Sequence, residues 1–389
     1  MLSQKQVISI LKKKYNRHKT NLLSTDISNQ VQTILPLTIV IFKSNEKELL
    51  KSGFDKLIQW SDAWKSSMLS KFIDYRLYKW TSSTQNIPNK VVITNLSDWL
   101  KLITELKDFN SVKKKALIII KDHPGLTSII GKSWDYLLTH DKDDIQLMSQ
   151  TISWFMKNTP AEVYERQVPI AGIHTKWLSA RRKTISLYLR KLQKSSSDYY
   201  ELTGIVKKPN RIRMRILCPK IRKIFGNICD VEAPIEEMEK LQINPKIVLV
   251  MENLITGLAI QDIECAIVIF RIGYDVRTLS SLPWFTSASY RYYWGDIDTN
   301  GFYMLGLLRT KVAVQSLMMT KEIFDNHQKL CSFEASVKQV NDKFKYTTSE
   351  MIMYESLLYK SNNGFPNRLE QELIEWNVVN SAVNHIRQL

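Results

Sequence analysis

The segment "YRYYWGDIDTNGF", Tyr290 to Phe302, decides how the chain is read: a run of large residues leads into two carboxylates, Asp296 and Asp298, one residue apart, and then into a glycine-led turn. In an extended segment alternate side chains share a face, so Asp296 and Asp298 point the same way, about 6.6 Å apart along the chain, while Ile297 turns to the core. A second reading stands beside it. Asp298 and Thr299 accept hydrogen bonds from the free N–H groups of a helix starting near Phe302, and Asp296 is a solvated strand end.

Working outward, "KIVLVMEN" (246–253), "CAIVIFRIG" (265–273) and "VAVQSLMM" (312–319) are further short apolar strands separated by helical connections. Near-continuous apolar strands of this kind predict an α/β unit with a mainly parallel sheet covered on both faces. Chemistry in such sheets gathers at the carboxyl ends of the strands. Glu252 closes the first strand, and Asp296 and Asp298 close the third. A hard divalent cation suits such an open strand end, because Mg²⁺ takes one or two protein carboxylates and completes its shell with water and phosphate oxygens. Glu252 is then placed for a second metal or for proton transfer from an attacking water. Asn253 and Thr299 are candidates for orienting the ligands.

The amino-terminal half alternates differently. "ILPLTIVIF" (34–42) predicts a strand, and apolar residues from Phe54 to Trp80 recur at three- and four-residue steps, predicting one long helix. "KVVITN" (90–95) and "KALIIIK" (115–121) are expected as strands on either side of the helix "LSDWLKLITEL". Helices are expected from Ile145 to Met156 and over the basic "RRKTISLYLRKL" (181–192), followed by a loop at "KSSSD" (194–198).

At 389 residues the chain accommodates two or three domains. No apolar run approaches the ~20 residues of a membrane span, and the start of the chain lacks the order of a secretory signal, so a cytoplasmic location is expected. Cys218, Cys229, Cys265 and Cys331 lie far apart and are expected as buried free thiols, with no zinc site. The net charge of +17 favours polyanions. It is concentrated between Arg166 and Gly226, where 16 Lys and Arg face two acids, Asp198 and Glu201. Lys176, Arg181, Arg182, Lys183, Arg190, Arg211, Arg213 and Arg215 are therefore candidates for the DNA phosphate backbone. In "RIRMR" alternation puts the three arginines on one strand face and leaves Ile212 and Met214 for the core.

The motifs "VMENLITGLAI" and "YYWGDIDTNGF" resemble the E-N and G-D-I-D-T-x-G signatures of a Toprim domain, in the form found in the JetD family of the Wadjet plasmid-defence systems. Three further stretches resemble that family: "ERQVPIAGIHTKWLSARR" (165–182), "RIRMRILCPKIR" (211–222) and "NRLEQELIEW" (367–376). His174 and Cys218 stand where the family usually has Asp, and the loop "FRIGYD" (270–275) carries one glycine where relatives often carry several. The resemblance implies an N-terminal α/β arm region (1–125), a central winged-helix-like module (126–235) and a C-terminal Toprim domain (236–389), assembled as a homodimer. It further implies Mg²⁺- or Mn²⁺-dependent hydrolysis of closed-circular plasmid DNA, with two ions per site. The implied partners are an SMC-type motor with its kleisin and accessory subunits. Glu252, Asp296 and Asp298 are the expected catalytic and metal residues. Glu370 and Glu372 are further metal candidates, although "RLEQELIEW" has the spacing of a solvated helix face. Rival readings are a topoisomerase-like transesterase using Tyr188, Tyr199 or Tyr200, and a non-catalytic DNA-binding scaffold.

Overall fold

A computed structural model describes residues 1–43, 54–79, 84–158, 163–270, 273–341 and 343–389. The middle of the "FRIGYD" loop, at 271–272, and Trp80 lie outside the described residues. The chain divides into two compact units, Met1–Lys208 and Pro209–Leu389.

In the first unit, helix α1 (Gln4–Ile27) starts at a reciprocal cap between Ser3 and Gln6. Strands β1 (Leu37–Val40), β2 (Ile73–Lys79) and β3 (Thr84–Ile93) form an antiparallel sheet of order β1-β3-β2. The long helix expected from Phe54 to Trp80 is shorter: α2 spans Phe54–Lys65 and gives way to β2. Ser66 and Ser67 end it, their hydroxyls donating to the carbonyls of Asp62 and Trp64. After α3 (Leu96–Leu102), the expected strand "KALIIIK" is instead the end of α4 (Leu106–Asp122). Phe109, Val112, Ala116 and Ile119 are buried at helical spacing, and Leu117 is exposed. A five-residue apolar window hides this period, which appears only when the run is followed back to Phe109. Helices α5 (Lys142–Lys157) and α6 (Thr175–Gln193) complete this frame over a core that includes Tyr15, Trp99, Trp134 and Tyr188.

The second unit is a six-stranded sheet among the described residues. Its strands are β4 (Arg211–Ile216), β5 (Asp230–Pro234), β6 (Ile247–Met251), β7 (Ala266–Phe270), β8 (Tyr290–Trp294) and β9 (Gln315–Ser316), in the order β5-β4-β7-β6-β8-β9. Strands β7, β6, β8 and β9 are parallel, and β4 and β5 form an antiparallel edge. Every residue of β6 and β7 is buried, as a sheet covered on both faces requires. The sheet reaches back to Arg211, so the boundary expected at 235 falls inside it. Helices α7 (Leu254–Ala259), α8 (Thr299–Arg309), α9 (Thr348–Asn362) and α10 (Trp376–Arg387) belong to this unit. Of the cysteines expected as buried, only Cys218 is; Cys229 is exposed, and Cys265 and Cys331 are partly so. No helix of the described residues is long and apolar enough to cross a membrane.

Candidate active site

Strands β6 and β8 pair in register with Met251 opposite Trp294, so Glu252 and Gly295 leave adjacent parallel strands at the same level. The Glu252 carboxylate accepts a hydrogen bond from the Tyr293 hydroxyl. Gly295 permits this approach, since a Cβ there would stand 2.8 Å from Glu252 Oε1 and 2.7 Å from the Tyr293 hydroxyl. Beyond it Ile297, fully buried, forms an antiparallel bridge with Leu369 through N···O contacts of 2.9 and 3.1 Å. Antiparallel pairing sets Asp298 opposite Arg368 and Asp296 opposite Glu370, four charged side chains on the face away from Ile297 and Leu369.

Arg368 binds this group together. Its Nη2 lies 2.9 Å from Asp296 Oδ2 and 3.3 Å from Glu370 Oε1, and its Nε lies 3.3 Å from Asp298 Oδ2, at ion-pair distance without hydrogen-bond alignment. Gln371, buried, ties the strand ends: its N–H donates to Asp296 Oδ1 at 3.0 Å, its side-chain amide donates to the Trp294 carbonyl, and its Oε1 accepts from Asn253 N at 2.8 Å. The helical spacing of "RLEQELIEW" is thus misleading. Arg368 to Glu370 are extended, Gln371–Leu373 is a 3₁₀ turn, and the helix starts at Trp376. Pairing of the buried Leu369 with Ile297 overrides the local pattern.

The capping reading of Asp298 holds. It caps α8, its Oδ1 accepting from Gly301 N at 2.7 Å, while Oδ2 faces Arg368. Gly301 is required here because a Cβ would fall 2.1 Å from the Asp296 carbonyl oxygen. Thr299 and Asn253 hold other acids than expected. The Thr299 hydroxyl donates to Glu334 at 2.7 Å, and the Asn253 amide donates to Glu372 while its Oδ1 caps α7.

The site carries more negative charge than Arg368 offsets. Burial pushes the Glu252 carboxyl up to about 7 against the Tyr293 hydrogen bond, with Asp296 adding to the rise and Arg368 opposing it. Burial likewise pushes Asp298 up to about 7, opposed by the Gly301 N–H and reinforced by Glu334, Asp296 and Glu252. Hard oxygen donors with surplus charge fit Mg²⁺ or Mn²⁺ in chemistry. Among the described residues, however, no three His, Cys, Asp or Glu side chains are arranged to hold an ion, and the two aspartates are turned to Arg368.

The basic candidates separate into two kinds. Arg181 is bound by Asp144 at 2.7 Å and stacks on Trp177; Arg182 pairs with Glu165, Arg211 with Glu232 and Arg213 with Asp230. Ile212 and Met214 are buried as expected. Arg215 Nε is buried without a hydrogen-bond partner among the described residues, and exposed Arg190 donates to the Ser197 carbonyl. Lys176 and Lys183 are exposed on α6, with no ion pair among the described residues. His174 is the cap of α6, its Nδ1 accepting from Trp177 N. Of the tyrosines, Tyr188 is fully buried with its hydroxyl on Ser133 at 2.6 Å, and Tyr199 is buried.

Residues 204–383 match the family described as Wadjet protein JetD, C-terminal. Residues 4–190 match a family described as the N-terminal part of an uncharacterized protein conserved in bacteria, DUF3322. The gap between the two matches lies next to the division of the chain at 208 and 209. No curated protein matches the chain.

Proposed function

Because residues 204–383 match the family described as Wadjet protein JetD, C-terminal, we propose that the chain is the metal-dependent DNA endonuclease subunit of a Wadjet-type plasmid-defence system. It hydrolyses the backbone of closed-circular DNA together with an SMC-type motor, its kleisin and its accessory subunit. The observation that supports this best is the placement of Glu252, Asp296 and Asp298 beyond the carboxyl ends of adjacent parallel strands, close enough to raise one another's pKa, with two of the three lifted to about 7. Strong perturbation by burial and like charge marks groups kept for chemistry.

In this reading Glu252, Asp296 and Asp298 would hold Mg²⁺ or Mn²⁺, two ions per site, with Glu370 beside them; Glu372 braces Asn253 instead. Bound there, the ions would supply a counter-charge to the phosphate and leaving oxygen. Alternatively, where Glu252 carries no ion, its carboxyl, raised toward neutrality by burial, is suited to take a proton from the attacking water. Gln371 keeps the two strand ends at a fixed separation. Lys176, Lys183 and Arg190 supply exposed phosphate contacts on α6, the rest of the basic set being paired with acids or, at Arg215, partly buried. The Toprim and winged-helix-like modules, the homodimer and a cytoplasmic setting belong to the same reading. A tyrosine transesterase is less well supported, because the Tyr188 hydroxyl is enclosed on Ser133.

The test is cleavage of supercoiled plasmid in Mn²⁺ with the partner complex. Asp296→Ala is expected to lower the rate by a factor on the order of 10²–10³, and denaturant quenching is expected to release DNA ends free of protein. A folded Asp296→Ala protein that cuts at the normal rate contradicts the assignment, and DNA covalently attached to protein contradicts hydrolysis.

A further inference from the structure

Among the described residues, Arg368 is the one that pairs with Asp296, Asp298 and Glu370 together. Its backbone is pinned: Arg368 N donates to the Ser332 carbonyl at 3.0 Å, and neighbouring Leu369 is bridged to Ile297. The side chain is less confined, being 34% exposed, with Glu370 more exposed still at 42%. Asp296 and Asp298 are the enclosed ends of this ladder at 17% and 7%. The guanidinium therefore bridges two withdrawn carboxylates while keeping an outward partner and a path toward it.

We propose that Arg368 is an autoinhibitory counter-ion: its guanidinium occupies the place between Asp296 and Asp298 that a divalent cation would take, and the cation enters by driving it outward onto Glu370. The inference rests on the metal reading given above. A ligand whose competent state is only partly populated binds with an affinity reduced by that fraction. Occupation by Arg368 therefore weakens cation binding and keeps the aspartates paired when no ion is present. The alignment of its contacts agrees with this, since Nε reaches Asp298 at 3.3 Å without a hydrogen bond and can be detached from it more easily than from Asp296.

Mn²⁺ titration followed by electron paramagnetic resonance tests this on the full chain, in the native form, Arg368→Gln and Arg368→Lys, with thermal melting to verify folding. Arg368→Gln is expected to bind Mn²⁺ about tenfold tighter or more. Arg368→Lys, which keeps the charge but cannot fork between two carboxylates, is expected to bind more tightly than native by a smaller factor. A lysine variant with native affinity, or a folded glutamine variant that binds equally or more weakly, overturns the proposal and leaves Arg368 as a distant charge or a brace. If the glutamine variant does not fold, the lysine variant alone decides. Absence of Mn²⁺ binding in every folded form overturns the metal reading itself, and this inference with it.

Discussion

Asp144 in the first unit and Asp298 in the second are both carboxylates withdrawn from water, with side chains 15% and 7% exposed. Their surroundings treat them in opposite ways. Asp144 receives Arg181 through Nε and Nη2 at 3.1 and 2.7 Å, the Tyr136 hydroxyl at 2.8 Å and the Trp177 indole N–H at 2.7 Å. Burial pushes its pKa up, but Arg181, Tyr136 and Trp177 outweigh that and hold it below the ordinary carboxylate value. Among the described residues Asp298 has one aligned donor, Gly301 N–H, and shares Arg368 with Asp296 and Glu370. A buried acid with every lone pair answered is a structural brace. One left short of positive charge is a standing demand for a cation or a proton.

Breaking the satisfied side has the largest expected effect. Arg181→Ala leaves the Asp144 charge uncompensated and is expected to destabilise the fold by about 3–5 kcal/mol in chemical denaturation. A loss below about 1 kcal/mol, the range of exposed pairs, would show that the pair lies on the surface in solution.

The unsatisfied side responds with the opposite sign. A carboxyl whose folded pKa is raised is disfavoured when charged. Its penalty is absent below the unfolded value near 4.5, grows as pH rises toward about 7 and is constant above. In the presence of chelator, Glu252→Gln is expected to melt about 2–4 °C higher than native, or more, at pH 8. The difference should vanish near pH 4. A variant less stable than native at pH 8 contradicts the surplus charge.

The smallest effect sharpens the division among the basic residues. Lys183→Ala is expected to weaken duplex DNA binding uniformly across sequences and to reduce the salt slope by about one unit. Arg213→Ala, held by Asp230, is expected to change the slope less. Equal slopes for the two variants would show that DNA recruits paired and unpaired cations alike.

Much of the second unit is legible in the sequence. The parallel strands announce themselves as apolar runs, and Asp296 and Asp298 as a shared face; that Gly295 and Gly301 are crowded by Glu252 and the Asp296 carbonyl shows only in the fold. Arg368 and Gln371 are not legible in their roles, because their contacts cross about seventy residues through the Ile297–Leu369 bridge and their own segment imitates a helix. The basic stretch misleads for a related reason. Counted from Arg166 to Gly226 it holds almost no acids, yet its partners Glu165, Asp230 and Glu232 stand just outside those limits, and Asp144 further upstream. Charge density along a chain records composition, and pairing is decided by the fold.

The central claim is that Glu252, Asp296 and Asp298 hold divalent cations once Arg368 withdraws. Anomalous diffraction from crystals soaked in Mn²⁺ tests it most directly. The expected result is metal density within coordination distance of all three carboxylates, with the Arg368 guanidinium moved toward Glu370. Saturating Mn²⁺ that leaves no density there, with Arg368 still bridging Asp296 and Asp298, would contradict it.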